Sequence, residues 1–387
     1  MDDLYAPTSE DRFSFGLWTV GHRGGDPFGL PTRPPVMPEE IVARLAEVGA
    51  WGVSLHDNDL VPFGSSAAER DRIVASFRKA VDAAGMVVPM TTVNLFTQPL
   101  FRDGAFTAAD PAVRRFALRK ATDAIDIGAE LGAGTFVLWG GREGVESGAA
   151  RDPRVALERY REGVEFLCAY IRSQGLSTRI ALEAKPNEPR GHLYLPTTGH
   201  MLHFIETLSD SEIVGVNPEV AHEAMAGLSF SAVVGQALWA GKLFHVDLNS
   251  QNGPRFDQDF RFGAEDLKEA FLTVRLLERA GYGGPRHFDA RAYRSEDDSD
   301  VYSAFARGCI RNYKILAAKA AAFDSDPVVV AALEAAGAGQ LAEPSPAFSA
   351  ETLEAIRAED FAAVIEGGEG RHLEAVDQLL VEALLGV

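Results

Sequence analysis

Cysteine is nearly absent: Cys168 and Cys309 are the only two in 387 residues. Both lie in apolar, helix-like patterns (FLCAYI and RGCIRNY) and are expected to be buried free thiols rather than a disulfide. Long apolar runs are missing too. No stretch of about 18 apolar residues exists to cross a membrane. The start, MDDLYAPTSEDR, is too acidic and polar for a signal peptide, so a cytoplasmic location is expected. Positive charge is scarce, with 37 Lys+Arg against 56 Asp+Glu and a net charge of −19. A nucleic-acid partner needs a basic footprint, and an anionic membrane would repel this surface, so neither is expected. Several reaction signatures are also lacking. There is no Gly-rich phosphate loop after the first strand candidate, no Walker motif, no G-x-S-x-G and no H-E-x-x-H.

What is present is a regular alternation. Composition is that of a folded globular chain, 46% hydrophobic and 24% charged. Short β-like runs occur at 13–20, 51–57, 87–93, 135–141, 179–185, 214–220, 243–249 and 286–290. Helical stretches follow them, for example 38–48, 67–84 and 111–131. Proline or an acid opens many of these helices, and Gly49, Gly85, Gly132 and Gly281 close several. Eight strand–helix units are the count of an α/β (β/α)8 TIM barrel. A doubly wound open sheet is the rival, but it usually has fewer units.

The barrel is expected over 1–323. After Phe323 the β signals stop, and 324–387 reads as an acidic, mostly helical C-terminal extension. It holds 13 acidic and 2 basic residues, and so −11 of the total charge. Helical segments are expected near 327–336, 349–357 and 370–385. Breakers separate them at 337–339, Pro344, Pro346 and 367–370. The apolar residues Phe348, Leu353, Ile356, Phe361, Val364, Ile365 and Leu373 require a surface, either on another subunit or on the same barrel.

The carboxyl ends of barrel strands line active sites, and here those ends are polar. The second ends in His56 and Asp57, with Asp59 beyond. The fifth ends in Glu183 and Lys185. The sixth ends in Glu219, with His222 three residues on. The seventh carries Asp247 and the eighth Asp289, while the loop RFDQDF holds Asp257 and Asp259. A single strand-end carboxylate is most often a cap or a salt-bridge partner. Six converging carboxylates are different, because like charges raise one another's pKa and cannot all ionise uncompensated. Divalent cations supply that compensation. The nearly all-oxygen set with one imidazole favours Mg2+ or Mn2+ and tolerates Co2+. Glu219 lies between the two groups and is the candidate bridge. His56 beside Asp59 suits general acid–base work on a hydroxyl. Trp18, Phe96 and Trp139 fall near strand ends as barrel core or as an apolar wall for a ring-shaped ligand.

The segments VSLHDND (53–59), FVLWGGREG (136–144), LEAKPNEPRGHLYLPT (182–197), VNPEVAHEAMAGL (216–228), LFHVDLNSQ (243–251) and RFDQDFRFG (255–263) together resemble the xylose isomerase family, actinobacterial type. The resemblance runs over nearly the whole chain. It implies an aldose–ketose isomerase with two divalent cations per subunit, Mg2+ first and Mn2+ or Co2+ as alternatives. One cation would be held by Glu183, Glu219, Asp247 and Asp289, the other by Glu219, His222, Asp257 and Asp259. His56, supported by Asp59, would assist opening of the sugar ring. Lys185 would bond the substrate oxygen near the carbonyl, and Asp257 would accept a proton. Trp18, Phe96 and Trp139 would line the sugar pocket. Phe28 would reach in from a neighbouring subunit of a homotetramer whose C-terminal arm wraps a partner. The implied chemistry is a cation-assisted 1,2-hydride shift between D-xylose and D-xylulose, and between D-glucose and D-fructose.

The sequence departs from that pattern in places. Arg291 stands where many relatives carry lysine, and it keeps the charge with another geometry. Ala184 replaces a frequent proline, and His22 and Arg23 occupy the first loop. No metal ligand is lost, which argues against a decayed barrel that only binds sugar. A sugar epimerase on the same barrel would carry other ligand spacings than KPNEPRG and RFDQDF. A nuclease on a similar barrel would want a His-rich zinc set and a basic face.

Overall fold

The computed structural model describes residues 3–338, 345–367 and 370–387. Met1 and Asp2, and the expected breakers at Gly339, Pro344 and 368–369, lie outside the described residues. The chain divides into two compact units, residues 1–315 and 316–387.

The first unit is a curled parallel sheet ringed by helices. Its strands are β1 (Phe13–Gly16), β2 (Gly52–His56), β3 (Met90–Thr92), β4 (Thr135–Trp139), β5 (Arg179–Glu183), β6 (Val214–Val216) and β7 (Arg286–Phe288). They pair in parallel in the order β6-β5-β4-β3-β2-β1-β7. β1 to β4 and β6 are buried almost end to end, as expected for strands covered on both faces. The (β/α)8 barrel fold is therefore established.

The segment 243–249 was expected to be a regular strand and is not. It sits between β6 and β7 through isolated bridges, Val216 to Leu243, Glu219 to Asp247 and Asp247 to His287. Two causes are visible. Pro218 has no N–H to give to a ladder. The N–H groups of Phe244 and His245 both donate to the Val216 carbonyl, at 3.1 and 3.3 Å, so the pairing bulges there. The barrel thus closes with seven regular strands and one irregular one. Other strands are shorter than their apolar runs. β3 begins only after Pro89, and the first run, 13–20, turns after Gly16 into a helical turn, Leu17–Val20.

Eight helices accompany the eight sheet positions: Pro38–Glu47, Ala67–Ala83, Pro111–Leu131, Pro153–Ser173, Thr198–Ile205, Phe230–Trp239, Leu267–Arg279 and Arg307–Ser325. Their starts follow the capping chemistry. The side chains of Asp110 and Asp152 accept from Ala112 N and Arg154 N at 2.7 and 2.9 Å, each just before a proline at the first helical position. Gly132 ends its helix in the left-handed conformation, φ 84°. Both cysteines are free and buried.

The second unit holds the helical segments Pro327–Ala335, Ala350–Ala358, Ala362–Ile365 and Leu373–Leu385. Phe348, Val364, Ile365 and Leu373 are exposed on it.

Inside the barrel, Met90, Val137, Ala181 and Phe244 form an apolar floor with Trp18 packed against it. Gly215 makes room for this floor. A Cβ there would lie 2.5 Å from the Phe244 ring and 2.6 Å from the Lys242 carbonyl. Gly215→Ala is therefore expected to lower unfolding free energy by about 1–3 kcal/mol. Gly134→Ala, where a Cβ meets nothing within 4 Å, should stay within about 0.5 kcal/mol of the parent. Urea midpoints of the two variants check this.

Candidate metal centre

Above that floor, the carboxyl ends of the strands open into a cavity of about 310 Å³. It is lined by every residue expected in the site except Phe28. Phe28 is 98% exposed on its own loop, so this chain does not bring it to its own cavity.

The carboxylates converge as the strand ends predict. Ligand atoms of Glu219, Asp247 and Asp289 lie within 4.8 Å of one another, as do those of Glu219, Asp257 and Asp259, and those of Glu183, Glu219 and His222. Glu219 belongs to all three groups. It is the last residue before the short helix Val220–Met225, whose first turn carries His222. Three residues along that turn, His222 Nδ1 comes to 2.9 Å from Glu219 Oε2 and 3.5 Å from Glu183 Oε1. Its Nε2 lies 3.5 Å from Asp257 Oδ2. Glu183, Glu219, His222, Asp247 and Asp259 are all buried.

The electrostatics are strained without further positive charge. Burial, then the neighbouring Asp247, pushes the Glu183 carboxyl well above its ordinary range. Burial and Asp257 do the same to Asp259, and burial and Glu219 to Asp289. Burial works against the charged form of His222, but Glu219 and Asp257 override it and raise its pKa well above the ordinary value. Burial likewise opposes ionisation of Asp257, yet His222 and Lys185 hold it well below the carboxylate range. Among the candidate ligands three buried atoms have no aligned hydrogen bond, His222 Nδ1, Asp247 Oδ1 and Asp257 Oδ1. A buried acceptor or donor left this way costs about 1–3 kcal/mol. Orphaned ligand-type atoms inside a carboxylate cluster are what a hard divalent cation would satisfy, so the residues fit such an ion.

Residues outside the expected list orient the carboxylates. Asn217 Nδ2 donates to Glu183 Oε2 at 3.2 Å and to Asp247 Oδ2 at 2.7 Å. His245 Nδ1 lies 3.2 Å from Asp247 Oδ1. Asn249 Nδ2 donates to Glu219 Oε1 at 2.7 Å and to Asp259 Oδ1 at 3.2 Å. A signal for them was in the sequence. Asn217 and Glu219 alternate, as do His245, Asp247 and Asn249, so each set shares a strand face.

The other half of the cavity is aromatic. Ring centroids run from Trp18 to His56 at 4.5 Å, from His56 to Phe96 at 5.7 Å and from Phe96 to Trp139 at 4.6 Å. Trp18 Nε1 donates to Asp289 Oδ1 at 2.8 Å, tying this wall to the acidic cluster. His56 ends β2, and the helical turn Asp57–Leu60 brings Asp59 back over it. Asp59 Oδ2 accepts from the His56 backbone N–H at 2.8 Å and lies 3.0 Å from its Nδ1. Lys185 Nζ pairs with Asp257 and lies 5.6 Å from the Trp139 ring centre.

This barrel with a carboxylate cluster and an aromatic wall at its carboxyl end is of the xylose isomerase-like TIM barrel class, whose family model matches residues 42–304. The xylose isomerase of Thermus thermophilus is 53% identical over 386 residues, covering 99% of this chain and 100% of its own. The chain belongs to the xylose isomerase family. Among solved structures, a xylose isomerase domain protein from Alicyclobacillus acidocaldarius aligns with TM-score 0.58 at 16% identity, over 80% of this chain and 99% of that one. An L-ribulose 3-epimerase aligns with TM-score 0.57 at 14% identity, over 82% and 99%. These two likenesses show the shared barrel alone.

A divalent cation that binds the folded cluster and not the unfolded chain stabilises the protein by about 2.7 kcal/mol at a hundredfold over Kd, and this is the effect expected of excess Mg2+ if that ion fills the cluster. Thermal unfolding with Mg2+ or with chelator measures this, and Glu219→Gln should abolish most of the difference.

His22, on the cavity wall, gives a separate pH effect. Its Nδ1 accepts the Gly24 N–H at 3.2 Å. Burial, with Arg291 and Arg33 nearby, lowers its pKa to about 4. The folded pKa lies below the unfolded value near 6.5. Between those two values the unfolded state takes up a proton that the folded state refuses, so stability falls as pH drops through that window. Denaturation midpoints measured down this range should fall less for His22→Asn, which keeps an acceptor and loses the proton site.

Proposed function

We propose that the protein interconverts D-xylose and D-xylulose, and D-glucose and D-fructose, by ring opening followed by a 1,2-hydride shift. The observation that carries this reading is the convergence of three ligand groups on Glu219, beside an aromatic wall deep enough for a sugar. Glu183, Glu219, Asp247 and Asp289 would hold one divalent cation, and Glu219, His222, Asp257 and Asp259 a second. Mg2+ is the first choice, with Mn2+ or Co2+ as alternatives. Once bound, such cations would supply Lewis-acid polarisation of the oxygens on the two carbons between which hydride moves.

The chain's own residues do the rest. Asp59 holds His56 by Nδ1 and leaves Nε2 to exchange a proton with the ring oxygen and anomeric hydroxyl. Lys185 donates to the oxygen at the carbonyl end of the opened sugar. Asp257 accepts the hydroxyl proton released as the carbonyl moves. Trp18, Phe96 and Trp139 exclude water from the migrating hydride. Exposed Phe28 is then a wall residue given to a neighbouring subunit. The exposed apolar residues of 324–387 support a C-terminal arm in a homotetramer, with 1–323 as the catalytic domain. No helix among the described residues is long and apolar enough to cross a membrane. With two buried free thiols, this supports a cytoplasmic enzyme.

The epimerase likeness makes the rival concrete, and solvent isotope separates the two. Purified protein with Mg2+ in D2O should convert D-xylose to D-xylulose with no deuterium at C1 or C2. A product epimerised at C3, carrying solvent deuterium there, would contradict the proposal. His56→Asn should lower turnover by about a hundredfold or more while keeping its stabilisation by Mg2+, because His56 touches no candidate ligand group.

A further inference from the structure

The two candidate cation groups share Glu219 but differ in their fixed neighbours. Around Glu183, Asp247 and Asp289 the donors are the Asn217 amide and the Trp18 indole, with the His245 imidazole 3.2 Å from Asp247 Oδ1. Around the second group two of the donors are permanent cations. Lys185 Nζ pairs with Asp257. The Arg291 guanidinium grips Asp259, with Nε 2.8 Å from Oδ2 and Nη2 on the same oxygen. The other oxygen, Oδ1, takes the Asn249 amide at 3.2 Å. Both oxygens of Asp259 are therefore engaged by N–H donors, one of them charged.

Arg291 makes a second, separable contact. Its backbone N–H donates to the Asp259 carbonyl at 2.7 Å. Asp259 itself has φ 48°, a left-handed conformation that aspartate tolerates better than most residues. The position of the carboxylate is thus fixed by main chain and by Asn249. What the guanidinium adds is charge and occupancy of the lone pairs that a cation needs. Like charges close together in a partly buried site oppose each other strongly.

Resting on the two-cation reading above, we propose that the Arg291 side chain is an internal competitor for Asp259. It weakens the cation held by Glu219, His222, Asp257 and Asp259 relative to the cation held by Glu183, Glu219, Asp247 and Asp289. The second cation is thereby kept exchangeable. The residue sets the difference in affinity between the two sites rather than taking part in the chemistry.

The test is Mn2+ titration of chelator-treated full-length protein, read by the free-ion electron paramagnetic resonance signal. The parent should show two classes of Mn2+ site. In Arg291→Gln and Arg291→Met the weaker class should tighten by about tenfold while the tighter class moves less than about twofold. Arg291→Lys, which keeps the charge, should stay nearer the parent than either neutral variant. Two neutral variants are used so that loss of fold in one leaves the other. A weaker class that is unmoved or further weakened in the neutral variants overturns the competitor role. So does a parallel shift of both classes. A parent that binds no Mn2+ overturns the two-cation reading beneath it, and this separates the two failures.

Discussion

The mutual repulsion of buried carboxylates is the constraint on which the rest of this structure depends. Glu183, Glu219, Asp247, Asp257, Asp259 and Asp289 are drawn together at one end of the barrel, around a single imidazole. Burial and proximity together push Glu183, Asp259 and Asp289 toward their protonated forms. Such a cluster is costly unless positive charge enters it. The chain supplies only part of that charge, through Lys185, Arg291 and His222, and the remainder is an invitation to divalent cations.

The fold carries this load by spreading it over many rigid elements. The carboxylates come from different strand ends and from the one loop after the irregular segment 243–249, and that loop alone bears two of them, Asp257 and Asp259. The side-chain amides of Asn217 and Asn249 then cross-link neighbouring carboxylates. The irregularity of 243–249 belongs to this design. Pro218 and the double donation to Val216 free the local backbone from a straight ladder, and Phe244 drops into the floor over Gly215. The aromatic wall completes the cavity through one polar link, Trp18 to Asp289.

Much of this was legible in the sequence because the relevant signals are local. Eight apolar runs with polar ends, separated by amphipathic stretches, specify eight barrel positions. The pattern of Glu219 and His222, three residues apart after a strand, specifies a shared centre. The features that escaped depend on contacts far apart in sequence. The failure of 243–249 to form a strand follows from a proline on the neighbouring segment. Arg291 is a plain substitution until Asp259 is seen beneath it, thirty-two residues away in the chain. Asn217, His245 and Asn249 fall between these cases, because their alternation with Glu219 and Asp247 was readable but their cross-links were not. Phe28 is exposed and does not line the cavity of its own chain, which no local sequence signal announces.

The central claim is that Glu219 stands between two cation sites. Anomalous diffraction from crystals of the protein soaked in Mn2+ tests it most directly. The account predicts two anomalous peaks per chain, with Glu219 touching both, one also contacting Asp247 and Asp289 and the other Asp257 and Asp259. A single peak, or two peaks of which one lies away from Glu219, would contradict it.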